Sequence, residues 1–253
     1  MKIALLETSP AGPMEGAHDH LRNDSRIDVY DITHDCPIDT ALFSPASTWA
    51  ANRNILWQHV PKDYDYYWFI DYDVRTCGDI DTIVAALSDY KPAVAFPAYV
   101  RDPKQGIDRI RSGVFNNNMS VIFDKTAASV VFPMPEQFGG FWDAATYVNL
   151  LSLAWYPHVI DIADVMVYSM VSSDYAANCN LSDGVAAMQA CFEWCIEWMV
   201  LPASAPNSVV EFKEWMRESS SVSLPSDGLP FNQRASMARI IDTSNEWFKG
   251  RVY

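Results

Sequence analysis

Glycine is scarce in this chain, ten residues in 253. None of them forms GxGxxG after the first apolar run, GxxxxGKS/T, or GxSxG. These absences argue against a dinucleotide oxidoreductase, remove a P-loop kinase or ATPase, and leave an α/β-hydrolase without support. Basic side chains are also few. Lysine plus arginine total 18 against 32 aspartates plus glutamates, a formal net charge of −14. Such a chain has little with which to displace counterions from a phosphate backbone, so no nucleic-acid partner is expected. A nucleotide ligand is not excluded, because one metal ion can offset a diphosphate. The five cysteines, Cys36, Cys77, Cys179, Cys191 and Cys195, are odd in number and form no CxxC pair. They read as reduced thiols in a soluble, cytoplasmic protein. No apolar run approaches the roughly 18 residues of a membrane-spanning helix, so no transmembrane segment is expected. The opening MKIALLETSP is too briefly apolar for a signal peptide.

What is present is a globular composition, 49% hydrophobic and 13% aromatic. Strand and helix signals alternate from the start. Lys2 to Leu6, apolar from Ile3 on, reads like a buried parallel strand, followed by the loop-forming Thr8-Ser9-Pro10-Ala11-Gly12-Pro13. Ile27 to Ile32 suggests a second strand. Ser44-Pro45 predicts an N-cap with proline at the first helical position, opening a helix to about residue 59. Tyr66 to Ile70 reads as a central strand. Asp79 caps a helix with Ile80, Ile83, Val84 and Leu87 at helical spacing. Strands are expected at 93–96 and 119–123, a loop at 101–112, a helix at 141–155, and short strands at 159–162 and 165–168. From Asp183 the pattern turns helical, with helices expected at 184–200, 207–218 and 231–248. The chain therefore reads as an α/β core, residues 1–178, with a helical C-terminal subdomain, 179–253, packed on it.

The sharpest local feature is Asp65-Tyr66-Tyr67-Trp68-Phe69-Ile70-Asp71-Tyr72-Asp73-Val74. An apolar strand delivers two carboxylates at its C-terminal end, where open α/β sheets bind ligands. Hard divalent ions take such oxygen ligands together with substrate phosphates. If the chain turns at Tyr72, one carboxylate reaches a metal directly and the other acts through water or on a ribose hydroxyl. Arg53 follows Trp49 by four residues, beside an apolar face. Such a guanidinium needs a partner, either a phosphate or a neighbouring carboxylate. The His18-Asp19-His20 stretch, with His34, matches no zinc pattern and is expected to be solvated.

Residues 1 to about 175 resemble GT-A-fold glycosyltransferases, the class that uses nucleotide-diphospho-sugars. The resemblance is carried by KIALLETSP, WAANRNILWQHV, DYDYYWFIDYDV, NNNMSVIF and GGFWDAATYVNLLSLAWYPHVIDIADV. It extends weakly to the small glycosyltransferases of large algal viruses. It implies a Rossmann-type mixed, mostly parallel sheet flanked by helices. It further implies that Asp71 and Asp73 hold Mn²⁺ or Mg²⁺ and the donor diphosphate, with Tyr72 between them. Thr8, Ser9 and Pro10 would meet the nucleoside, and Arg53 the diphosphate. Asn117 and Asn118 would face the donor sugar, although asparagine there also suits a turn. In an inverting enzyme Asp143 would deprotonate the acceptor hydroxyl, with Glu136 as the next candidate. A helix-dipole role explains Asp143 equally well. The glycine-rich loop of the related sugar nucleotidyltransferases is missing after Leu6. The late histidine that serves many family members as a third metal ligand is also missing. Asp174 is its nearest substitute, and His158 falls early.

The implied partners are a nucleotide-diphospho-sugar donor and a glycan or glycoconjugate acceptor. The helical tail would shape the acceptor site or a homodimer contact. The alternatives are a non-catalytic nucleotide- or glycan-binding module of the same fold, and a metal-dependent phosphotransfer or hydrolytic enzyme.

Overall fold

The computed structural model describes residues 1–45, 48–99, 119–135, 137–155, 159–169, 190–191 and 193–194. The expected helices at 207–218 and 231–248, most of that at 184–200, the loop at 101–112 and the boundary near 178 lie outside them. Along the described chain the order is β1 (Ile3–Ser9), α1 (Asp19–Arg22), β2 (Ile27–Thr33), β3 (Leu42–Phe43), α2 (Trp49–His59), β4 (Tyr66–Asp71) and β5 (Val74–Cys77). Then follow α3 (Ile80–Tyr90), β6 (Val94–Tyr99), β7 (Ser120–Asp124), α4 (Lys125–Val131), α5 (Phe141–Trp155) and β8 (Val159–Ser169).

The strands form one mixed sheet in the order β3-β2-β1-β4-β7-β6-β8-β5. β2, β1 and β4 run parallel, as do β6 and β8. β7 is antiparallel to both its neighbours, and β5 pairs antiparallel with β8 at the far edge. Every residue of β1 and β4 is buried, as expected for central strands covered on both faces. The two-residue alternation sorts their side chains. Ala4, Leu6, Tyr67 and Phe69 face a core shared with α2, α4 and α5. Ile3, Leu5, Trp68 and Ile70 face a second core closed by α3. Trp68 is fully buried and donates its indole N–H to Ser120 Oγ at 2.8 Å, so the largest core side chain carries no unsatisfied polar atom.

Four local expectations need correction. The Ser44-Pro45 signature does not open α2. Thr48 is the N-cap, accepting the Ala51 N–H at 3.2 Å, and Leu42–Phe43 before it pair with β2. A helix starts where a side chain can satisfy its orphan N–H groups, and Thr48 does so. Residues 159–169 form one strand rather than two. β5 and α4 were not foreseen; α4 is capped by Asp124, which accepts the Ala127 N–H at 2.6 Å. His18 is not solvated but buried, 1% exposed.

Candidate active site

The chain leaves β1 for β2 on one side and returns to β4 on the other. The carboxyl ends of β1 and β4 therefore flank a topological switch point, where open α/β sheets place their ligands. Register puts Thr8 opposite Asp71. The Asp71 N–H donates to the Met119 carbonyl at 2.9 Å and the Tyr72 N–H to the Thr8 carbonyl at 3.0 Å. The chain then turns at Tyr72-Asp73 and enters β5.

Asp71 ends its strand on the face covered by α2. Its Oδ1 accepts from Arg53 Nη2 at 2.9 Å, Thr8 Oγ1 at 3.2 Å and Trp49 Nε1 at 3.2 Å. Its Oδ2 accepts the same indole N–H at 3.1 Å. Trp49 and Arg53 meet because they lie one helical turn apart. The guanidinium stacks 3.8 Å from the Trp49 ring centroid. With side chains only 1% and 12% exposed, Arg53 and Asp71 form a buried ion pair whose formation depends on close geometry. Burial draws Arg53 below its ordinary pKa, and the charge and hydrogen bond of Asp71 oppose that shift. Of the two roles the sequence left open for Arg53, the carboxylate pair is the one formed, and a phosphate there has to compete with Asp71. Tyr72 and Asp73 lie on the turn, partly exposed.

The loop after β1 is anchored, not free-hanging. Ser9 Oγ accepts the Gly12 N–H at 3.0 Å, and Gly12 sits at φ 114°, a conformation that favours glycine. The Pro10 carbonyl accepts the Asp35 N–H at 2.7 Å. Thr8 meets Asp71, and Ser9 and Pro10 carry the chain on into this loop. Thr8 and Ser9 are buried, which leaves Pro10 and the backbone as the more accessible part of that loop.

Asp143 lies in the first turn of α5. That turn is tied to the start of α2: the Gly139 carbonyl accepts the Ala50 N–H at 3.4 Å, and Phe141 meets Trp49 edge-on at 5.5 Å. A Cβ on Gly139 would come within 3.1 Å of Thr48. Trp49 is therefore the link between the helix bearing Asp143 and the carboxylate of Asp71. Burial pushes Asp143 above its ordinary pKa, opposed by backbone N–H groups that include Ala144 at 2.9 Å. Asn117, Asn118, Glu136, His158 and Asp174 lie outside the described residues.

Among the described residues, no group of three His, Cys, Asp or Glu side chains converges as a metal site. A closed protein cage is accordingly ruled out there. A cation shared with substrate phosphates needs only one or two carboxylates. The sequence missed Trp49 as a partner of Asp71; its signal was the four-residue spacing to Arg53.

The mixed, mostly parallel sheet and its flanking helices match a GT-A-type, Rossmann-like α/β fold. Residues 1–349 of S. aureus TarS, solved in complex with UDP, match it at a TM-score of 0.52 and 11% identity, covering 100% of this chain and 93% of that one. The UDP-GlcNAc complex of the same protein matches at a TM-score of 0.52 and 9% identity, over 96% and 89% of the two chains. At such identities the likeness is one of fold. No protein-family model matches the chain, and no curated protein matches it in sequence. Among the described residues, no helix is long and apolar enough to cross a membrane.

Proposed function

We propose that the chain is a glycosyltransferase moving a sugar from a nucleotide-diphosphate donor, a UDP- or GDP-sugar, to a hydroxyl of a glycan or other acceptor. The observation that carries the reading is the Asp71-Tyr72-Asp73 turn at the switch point of a sheet whose fold relative was solved with UDP and with UDP-GlcNAc. That relative makes UDP the first donor nucleotide to test. Asp73 and the Oδ2 edge of Asp71 are the residues that would hold Mn²⁺ or Mg²⁺. Such an ion supplies charge neutralisation on the departing diphosphate.

Thr8, Trp49 and Arg53 hold the Asp71 carboxylate in one orientation, so little reorganisation is needed when a charged donor arrives. The Thr8-Ser9-Pro10 loop is the nucleoside side of the site, and Asn117 and Asn118 are assigned the donor sugar. Asp143 takes the acceptor proton, with Glu136 as the alternative. A carboxyl lifted by burial above the ordinary 3.8 is the better base for it, since base efficiency rises as the pKa approaches the working pH. Residues 179–253 are assigned to shaping the acceptor site or a dimer contact, and the place of work is assigned to the cytoplasm.

Asp143→Asn should lower transfer by about 10²–10⁴-fold, the usual range for a lost general base, while UDP affinity stays unchanged. In the wild type, the acidic limb of the rate profile should lie above pH 3.8. A variant with wild-type transfer would remove Asp143 from the chemistry.

One observation favours a second reading, a non-catalytic nucleotide-binding module: Asp71 is already neutralised by Arg53. A thermal-shift screen of nucleotide-sugars with Mn²⁺ and Mg²⁺, followed by assay of nucleotide release, tests both. A binder raises its melting temperature by mass action. The transferase also releases nucleotide slowly from the donor alone; the module releases none. If no nucleotide-sugar shifts the melting temperature, both readings fail.

A further inference from the structure

On the face of β1 opposite Thr8, a second buried polar group lies under the same turn. Glu7 is fully buried. Its Oε2 meets His18 Nδ1 at 2.8 Å and accepts from Arg22 Nη2 at 2.7 Å. Arg22 makes a fork onto Asp31, at 3.0 and 2.8 Å. The other ring nitrogen of His18, Nε2, meets the backbone carbonyl of Val74, the residue after Asp73.

Both nitrogens of this histidine therefore face oxygens. A backbone carbonyl only accepts, so Nε2 must carry a hydrogen. A carboxylate only accepts, so Nδ1 must carry one as well. Arg22, bonded to the same Oε2, favours the ionised carboxylate. Burial alone would lift Glu7, but its hydrogen bond to His18 and the charges of His18 and Arg22 outweigh burial and hold its pKa below the ordinary 4.5. With Glu7 and Asp31 negative and Arg22 and His18 positive, the quartet, buried at Glu7 and His18 and partly exposed at Arg22 and Asp31, is neutral. With a neutral His18 it would hold an uncompensated buried charge. Among the described residues, further charged groups nearby are Asp19 and His20 on α1, Asp73 on the turn and Arg75 on β5. His20 is held below its ordinary pKa, first by burial and then by the charge of His18.

We propose that His18 is a positioning residue: as an imidazolium clamped by Glu7, it donates to the Val74 carbonyl and fixes the far end of the Asp71-Tyr72-Asp73 turn. Asp71 is held from the α2 face and Val74 from the α1 face, and Asp73 lies between the two fixed points. The clamp is a property of the unliganded protein. Only the statement that the turn receives a nucleotide diphosphate rests on the glycosyltransferase reading.

The test uses the full chain, labelled with ¹⁵N-histidine. Long-range ¹H–¹⁵N spectra at neutral pH should show two protonated ring nitrogens for His18, a pattern lost in Glu7→Gln. A spectrum with one unprotonated ring nitrogen would overturn the clamp, whatever the protein binds. Amide exchange supplies the second readout. In Glu7→Gln and His18→Gln, exchange at Tyr72 to Thr76 should quicken about tenfold or more, while α3 keeps its protection. Unchanged exchange at the turn refutes positioning, and so does a uniform loss of protection across α3, because the role is then general to the fold. UDP with Mn²⁺ is the third probe. Weaker UDP binding by folded Glu7→Gln supports the clamp. Wild-type affinity in that variant contradicts a role in the site. A wild type that binds no UDP overturns the glycosyltransferase reading, while the spectra and the exchange still decide the clamp.

Discussion

Two buried ionic groups flank the end of the central sheet, one on each face, and they are built differently. On the α2 face a single Arg53–Asp71 pair is wrapped by Trp49, Thr8 and, through Trp49, Phe141. On the α1 face Glu7, His18, Arg22 and Asp31 form a quartet joined by charge-assisted hydrogen bonds. The alternation of β1 assigns Thr8 to one and Glu7 to the other. The first group fixes a side chain at the start of the acidic turn; the second fixes a backbone carbonyl at its end. The acidic turn is thus braced by charge on both sides, at the burial cost such pairs carry.

The sharpest way to break this comparison is to remove one partner of the α2-face pair. Arg53→Met leaves the Asp71 carboxylate buried without its cation, and should cost about 3–5 kcal/mol, as expected for a broken buried pair. Chemical denaturation measures it; a loss below about 1 kcal/mol would mean water reaches Asp71 freely.

The quartet is expected to be less sensitive, because Arg22 keeps Asp31 when Glu7 changes. Glu7→Gln should cost about 2 kcal/mol, in the range for charge-assisted hydrogen bonds. It should also alter the acid response. Burial raises the Glu7 pKa, but His18 and Arg22 bring it net below 4.5. A carboxyl depressed in the folded state contributes stability that is complete above its ordinary value and fades as pH falls through its folded value. Wild-type stability should therefore fall on acidification below about pH 4.5, and Glu7→Gln should flatten that fall. Parallel acid limbs for the two proteins would show that Glu7 carries no such linkage.

The smallest effect belongs to the indole. Trp49→Phe keeps the ring beneath Arg53 and deletes the N–H shared by the two Asp71 oxygens, costing about 1 kcal/mol, the net value of one hydrogen bond. If Trp49→Phe proves as damaging as Arg53→Met, the ring packing and not the ion pair organises the α2 face.

These clusters also mark where sequence reasoning stops. β1, β4 and β7 were legible because each is built on an apolar run of three to five residues, and α3 because Asp79 precedes a clean helical spacing. The acidic triplet was legible for the same reason: it ends a buried strand. β5 was not, since Val74-Arg75-Thr76-Cys77 is short and finds its partner only in β8. The start of α2 was misplaced because Ser44-Pro45 carries the same chemical signal as a true cap. His18 looked solvated because its neighbours Asp19 and His20 are polar and exposed. Its partners lie 11 and 56 residues away in sequence, and only the topology brings them together. Trp49 and Arg53 were paired by spacing, but that they close on Asp71 is a tertiary fact.

The central claim is that Asp73, held between two fixed ends of its turn, receives a metal-bound nucleotide diphosphate. Calorimetric titration of UDP into the wild type and Asp73→Asn, each with and without Mn²⁺, tests it most directly. The account predicts Mn²⁺-dependent binding by the wild type and a loss of more than about tenfold, ~1.4 kcal/mol, in a variant that keeps its melting temperature. Equal UDP affinity in the two proteins, or no binding by the wild type, would contradict it.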